Sequence, residues 1–470
     1  MSAAVPAVRT ALERFRDRRV GVLGLARSGL AVARALRAGG ADVVAWDDDP
    51  AALQRALELG AWPGSAEDLP ELAALVVSPG VPLHHPSPHP LVAAARALGV
   101  PITGDVELFA AVAGPRPIVG VTGTNGKSTT TALVHHLLLA AGRPAQLAGN
   151  IGRPVFDLVL GPEDETLVLE LSSFQLDLVE TLACRVAVWL NLTPDHLDRH
   201  GGLEGYVAAK KRIFAPQRPG DRAVIGVDDP ISASVADELE RASRTPIRVA
   251  VGRVPERGVG VLGEELVDAL DGQPRPVARL EGLRALKGVH NHQNAAAAYA
   301  AVRALGLAPE EAVRGLASFA GLPHRMEEVG RCGALLFVND SKATNPDAAS
   351  KSLVAFERIF WIAGGRAGPG GFASLRPHLS AVVKAFLIGE AAAALEAELG
   401  DLVPVERCGN LERALDAALA DAEARGGEGV VLIAPACKSF DQFKSYEERG
   451  DVFRALVAER LARRREAVSA

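Results

Sequence analysis

Only four cysteines occur in 470 residues (Cys184, Cys332, Cys408 and Cys437), far apart and without a C-x-x-C pair, which excludes a disulfide framework and the usual zinc spacing. No apolar run continues uninterrupted to about 18 residues, and the charged opening "MSAAVPAVRTALERFRDRR" carries no signal-peptide cleavage pattern. A reducing cytoplasm is the expected setting, with no membrane partner. An excess of one charge is missing too: 51 Lys and Arg against 57 Asp and Glu leave a net charge of −6, and no basic face for a nucleic acid emerges.

What the chain does have is alternation. Short valine-rich runs are followed by alanine- and leucine-rich helical stretches from end to end, the pattern of β-α-β units on parallel sheets. At roughly 100–200 residues per domain, three α/β domains are expected, spanning 1–114, 115–322 and 323–470. The first boundary falls in "AAVAGPRPIVG", where Gly114, Pro115 and Pro117 interrupt the pattern. A helix is expected from about His292, and 245–285 reads as small strands and turns.

The stretch "GVTGTNGKSTTTALV" (120–134) fails the usual phosphate-loop spelling G-x-x-x-x-G-K-[ST], because Val121 stands where the first glycine belongs and Gly120 precedes it. The physical demand is looser: successive backbone N–H groups, a helix N-terminus, a lysine and a hydroxyl around phosphate oxygens. Gly123, Thr124, Asn125, Gly126, Lys127, Ser128 and Thr129 supply all of these. The plain alternative is a glycine turn with Ser128 as helix cap and a solvated lysine. An earlier turn, "GVLGLARSGL", holds Gly21, Gly24, Ser28 and Gly29 without the dinucleotide spacing, and Asp47 follows Gly24 by 23 residues, where a ribose-binding acid is placed in such folds. It reads equally as a nucleotide turn or a tight turn. Ser78 and Gly80 in "SPGV" form a further ligand loop.

Glu170 ends the apolar run of "LELSSFQL" and suits Mg²⁺ as a hard oxygen ligand, or is simply solvated. "NLTPDHLDRH" gathers Asp195, His196, Asp198 and His200, the two histidines at i and i+4 forming either a helical metal pair or part of a capped polar turn. Lys210 and Lys211 in "AAKKRIF" are unremarkable by themselves. Arg325, Asp340, Lys342 and Thr344 bring charges of both signs to "GLPHRME" and "NDSKATNP", suited to an anion- or nucleotide-binding crevice.

These motifs, with "GNIG", "GVHNHQNAAAA" and "APACKSFDQFKSYEERG", stand in the order found in the Mur ligases, and the chain resembles that family from about Gly21 to Gly450. The resemblance implies a Rossmann-like N-terminal domain, a P-loop central domain with a parallel sheet, and a Rossmann-like C-terminal domain. It also implies ATP-dependent ligation of D-glutamate to UDP-N-acetylmuramoyl-L-alanine through an acyl phosphate, by a monomer using ATP and two Mg²⁺ sites. Lys127 and the loop amides would hold the phosphates, with Ser128 and Glu170 at one Mg²⁺ and His196 at the second. Lys210 matches the lysine that the family carbamylates into an anionic ligand. Asn150, Asn294, Arg325 and Asp340 would meet ATP, and Lys342 the reacting groups. Gly24, Ser28, Gly29, Asp47, Ser78 and Gly80 would hold the uridine nucleotide. Thr344, Ser439 and Tyr446 would contact the amino acid, Tyr446 replacing a phenylalanine. Gly368 stands where the family usually has a lysine for a glutamate carboxylate, and Arg366 or another cation is expected to substitute. Competing readings are a sibling ligase with another amino acid, a folylpolyglutamate synthetase, and a nucleotide-sensing ATPase.

Overall fold

A computed structural model describes residues 12–286, 288–368 and 370–469, and packing divides the chain into two compact units, Met1–Phe319 and Ala320–Ala470. The first unit holds two sheets. Strands β1 (Arg19–Leu23), β2 (Asp42–Trp46), β3 (Trp62–Pro63), β4 (Ala74–Val77) and β5 (Ile102–Thr103) form a parallel sheet in the order β3-β2-β1-β4-β5. Buried on both faces, β1 and β4 read as continuous apolar runs, the signature of a strand between helices.

The central sheet has nine strands: β6 (Ile118–Thr122), β7 (Ala145–Gly149), β8 (Thr166–Glu170), β9 (Val186–Trp189), β10 (Arg222–Gly226), β11 (Ile247–Val251), β12 (Val259–Leu262), β13 (Glu265–Asp268) and β14 (Arg275–Arg279). Their order is β14-β13-β12-β11-β10-β9-β6-β8-β7, parallel except at β12-β13-β14. The alanine-rich helix Val289–Ala304 packs on this sheet with residues from His292 to Val302 buried. It begins three residues before the expected start at His292. Small side chains allow the close approach: a Cβ on Gly126 would lie 2.2 Å from Asn294 Oδ1.

The two sheets share packing at the expected boundary. Phe109, on the helix Asp105–Ala113, meets Phe156 edge-on at 5.8 Å. Nearby, the Glu107 carboxylate accepts from the Glu180 and Thr181 amides. Buried Asp105, whose carboxyl is pushed up by desolvation, accepts from Val106 N–H, Gln175 and Ser28.

The second unit carries β15 (Glu327–Cys332), β16 (Ala334–Asn339), β17 (Ile359–Gly364), β18 (Val382–Ile388), β19 (Val405–Gly409) and β20 (Glu428–Ile433), ordered β15-β16-β20-β17-β18-β19 with only β15 antiparallel. The helix Tyr446–Ser469 packs against β15 and β16. No helix among the described residues is long and apolar enough to cross a membrane.

Candidate active site

The strand β6 stops at Thr122 because the next residue, Gly123, takes φ +153° and Gly126 φ +84°, turning the chain into the helix Lys127–Ala140. Gly126 itself is the N-cap, so Ser128 is inside the first turn and the plain reading of Ser128 as a cap does not hold. Three neighbours fasten the loop. Asn191 accepts from Asn125 N–H at 2.9 Å and donates to Asn125 O at 3.2 Å, while Thr124 Oγ1 donates to Thr193 O. Tyr206 OH lies 3.2 Å from Thr124 Oγ1. Lys127 Nζ donates to Gly123 O and Thr124 O at 2.9 and 2.7 Å. Asn294 accepts from Thr130 Oγ1, and Thr129 is buried beside Ser128.

Glu170 ends β8 in register with Val121 of β6 and is 2% exposed. Asn150 Nδ2 donates to its Oε1 at 2.7 Å, and Oε2 has no hydrogen-bond partner. A buried carboxylate oxygen left open in this way suits a cation, since an unpaired buried charge is otherwise costly. The Ser128 hydroxyl, on the first turn of the adjoining helix, adds a second hard donor at these paired strand ends.

Lys210, on the helix Leu203–Lys211, is 1% exposed, its Nζ donating to Gly123 O at 2.8 Å and lying 4.7 Å from the Tyr206 ring centre. Burial and the nearby Lys127 charge bring its pKa down to about 7, against the opposing pull of Asp195 and Glu170. Its neighbour Lys211 pairs with Glu238 at the surface.

Of the two readings of His196 and His200, the helical pair does not form. His196 sits outside the short helix Leu197–His200, in the left-handed region at φ +50°, exposed and 3.5 Å from Asp195. His200 is buried, stacked on Phe174 at 5.2 Å and bonded to Ser173 Oγ, with its pKa lowered by desolvation. Its ring is committed to packing. Among the described residues no group of three His, Cys, Asp or Glu could hold a metal ion.

In the first sheet, Gly24 (φ +87°) and Gly29 make a close turn: a Cβ on Gly29 would lie 1.9 Å from Gly24 O, which already accepts from Ser78 Oγ at 2.6 Å. Asp47 accepts from the Leu25 and Asp49 amides, and Ser28 is engaged by Asp105. A cavity of about 310 Å³ opens here, lined by Gly24, Trp46, Asp47, Gly80 and His89 among others.

The second unit gathers its own residues. Asp340 is 6% exposed, accepts from Ser352 Oγ and Met326 N–H, and has its carboxyl pushed up by burial. Lys342 Nζ lies 3.3 Å from Tyr446 OH and over its ring. Arg325 follows His324, whose backbone is left-handed at φ +61°. Thr344 N–H donates to Lys342 O, and Ser439 is buried at the loop after β20. Gly368 faces open space, and Arg366 is exposed and paired with Glu390 at 3.2 Å.

The profile of the Mur ligase middle domain matches residues 121–302, and that of the Mur ligase glutamate ligase domain matches 324–437. A UDP-N-acetylmuramoylalanine–D-glutamate ligase of Caulobacter vibrioides is 49% identical over 452 residues, 94% of this chain and 96% of that one. The chain belongs to the Mur ligase family. A protein of the same name from Cereibacter sphaeroides is 50% identical over 456 residues, covering 93% and 96%. Among solved Mur ligases, MurF from Acinetobacter baumannii superposes with a TM-score of 0.58 at 17% identity, over 97% of this chain and 98% of that one. UDP-N-acetylmuramate-alanine ligase from Thermotoga maritima gives 0.55 at 19%, over 94% and 99%. At these identities the agreement concerns the fold, three α/β domains.

Three residues of this Mur ligase lie inside the quoted motifs, yet the sequence reading gave them no role. Asn191 and Gln293 bond each other at 3.1 Å and brace the phosphate loop from two elements. Arg449 is fully buried and has no carboxylate ion-pair partner among the described residues: Nε donates to Ser341 Oγ, and its Nη atoms donate to Ser341 O and Cys437 O, joining the loops after β16 and β20. Burial brings its pKa down to about 10. Arg449 was legible only as one charge in "SYEERG".

Proposed function

We propose that this Mur ligase joins D-glutamate to UDP-N-acetylmuramoyl-L-alanine using ATP, a cytoplasmic step of peptidoglycan synthesis carried out by a monomer. The observation that carries the reading is 49% identity, over nearly the whole of both chains, with proteins named for that reaction. The domains would be 1–114 for the UDP-sugar, 115–322 for ATP and 323–470 for the amino acid.

Amide formation from a carboxylate needs a leaving group at neutral pH. An alanyl carboxylate oxygen attacks the γ-phosphorus of ATP, giving an acyl phosphate and ADP. The glutamate nitrogen then attacks the acyl carbon, phosphate departs with the C–O electron pair, and the nitrogen loses a proton. The protein's part is positioning and charge. Lys127 exchanges its bonds to Gly123 O and Thr124 O for the β- and γ-phosphate oxygens, and the loop amides face the same oxygens. Asn150, Asn294, Arg325 and Asp340 orient ATP, while Lys342 offsets charge at the reacting carboxylate. Mg²⁺, when bound, neutralises phosphate charge. Glu170 Oε2 and Ser128 would hold one ion, and His196 with carbamylated Lys210 a second.

Carbamylation suits Lys210 because its neutral amine attacks CO2, forming an N–C bond and releasing one proton, and the pKa of about 7 keeps neutral amine available. Thr344, Ser439 and Tyr446 would hold the amino acid, with Arg366 as the cation for a glutamate carboxylate in place of the residue lost at Gly368. Because Arg366 already pairs with Glu390, glutamate must compete for it; an unchanged glutamate KM in Arg366→Ala would remove it from the pocket.

The test is to incubate the protein with Mg-ATP, UDP-N-acetylmuramoyl-L-alanine and either glutamate enantiomer and to weigh the product. Growth by one glutamyl residue with D-glutamate alone is expected. Gain with neither enantiomer, or phosphate release without the amino acid, overturns the reading in favour of a nucleotide-switched ATPase.

A further inference from the structure

The cavity beside the first glycine turn is lined by apolar side chains and two carboxylates, Asp47 and Asp48. Its volume of about 310 Å³ lies at the small end of ligand pockets, roughly 300–1,000 Å³, and suits a nucleoside rather than a whole nucleotide sugar. Asp47 is an acceptor held in place by two backbone N–H groups. Paired acids repel phosphate, so the neutral base and ribose belong here and the diphosphate belongs outside.

A pyrimidine dione presents two carbonyl oxygens, which need donors. Among the side chains lining the cavity two carry an N–H. The Trp46 indole N–H is buried out of reach, leaving His89. His89 is the N-cap of the helix Pro90–Ala97, and its Nδ1 accepts from Leu91 N–H at 3.2 Å. That bond decides the tautomer: with Nδ1 accepting, the neutral ring carries its hydrogen on Nε2. Nε2 makes no hydrogen bond to the described residues, and the cap fixes the ring's direction. The motif reading passed over His89, in "HPSPHP", because nothing in the sequence links it to the glycine turn.

Resting on the UDP-sugar reading above, we infer that His89 is a base-reading residue of this pocket, its Nε2–H donating to a carbonyl oxygen of the uracil ring. Donation to the C4 carbonyl would also discriminate, because cytosine carries an amino group there and would present a donor to a donor, whereas donation to the C2 carbonyl would serve both bases.

Three variants separate cap from donor. His89→Ser and His89→Asp keep an oxygen that caps Leu91 N–H but have no N–H to offer, while His89→Ala loses both. For Ser and Asp, the KM for UDP-N-acetylmuramoyl-L-alanine is expected to rise about tenfold, with kcat, the ATP KM and the melting temperature unchanged. His89→Ala should show the same KM and a lower melting temperature. UMP and CMP titrated calorimetrically into wild type and His89→Ser supply the second readout: UMP weakened alone, or both nucleotides weakened, supports donation to one or the other carbonyl. Unchanged UMP affinity in His89→Ser and His89→Asp overturns the inference, even if the wild-type enzyme performs the ligation. Failure of the function itself would show differently, as wild type that neither turns over the UDP-sugar nor binds UMP.

Discussion

Two glycine turns of the first unit share a plan and differ in charge. Both follow a parallel strand, both open a helix, and both bring backbone so close that a Cβ would collide: Gly29 against Gly24 O at 1.9 Å, Gly126 against Asn294 Oδ1 at 2.2 Å. At the central turn two buried or half-buried lysines, Lys127 and Lys210, donate to the same carbonyl, Gly123 O. At the first turn a carboxylate, Asp47, receives the Leu25 N–H that a phosphate would otherwise take. Glycine supplies the approach, and the neighbouring charge chooses the ligand. Positive charge at a helix start suits polyphosphate, whereas an acid at the next strand end suits hydroxyl and base.

The contrast can be broken most directly at Lys127. Lys127→Ala should lower kcat by about 10³-fold and leave UMP binding unchanged, measured by phosphate release and calorimetry; a loss of UMP affinity would mean the two turns act together. Next in size is the glycine pair. Gly126→Ala forces a Cβ into Asn294 at φ +84°, strain of about 1–3 kcal/mol, and should raise the ATP KM. Gly29→Ala should instead raise only the KM for the UDP-sugar.

A third effect is a pH dependence at the central turn alone. Lys210 is protonated below its pKa of about 7 and neutral above it, and carbamylation releases a further proton, so at fixed CO2 carbamate and rate should fall by up to about a hundredfold per pH unit below that point. Added CO2 should partly restore the rate, and a rate flat through pH 7 would count against carbamylation. The smallest change is Asp47→Asn, which retains an acceptor oxygen but loses the charge: the KM for the UDP-sugar should rise about threefold, with the ATP KM unmoved.

Much of this was legible in the sequence. "TGTNGKST" marked a glycine turn between strand and helix despite the displaced Gly120, because glycine, lysine and hydroxyl follow from residue order. Glu170 was readable as the polar end of an apolar run, and the open Oε2 gives that reading its physical content. Of the two readings of the histidines the structure keeps the polar turn, because i and i+4 spacing means a shared face only inside a helix, and His196 lies outside one. The roles of Arg449 and His89 were not legible for a different reason: one joins loops far apart along the chain, and the other acquires its role from a helix cap.

The residue order by itself determined the three α/β domains, the glycine turns and the family, since periodicity, glycine and short motifs are local properties of the chain. Only the tertiary structure decided which groups are ionised and which way donors point. Lys210 and Lys211 are adjacent and chemically identical, yet one is buried under the phosphate loop with a pKa near 7 and the other is paired at the surface with Glu238. Desolvation depends on what packs around a side chain, and that is set by residues distant in sequence.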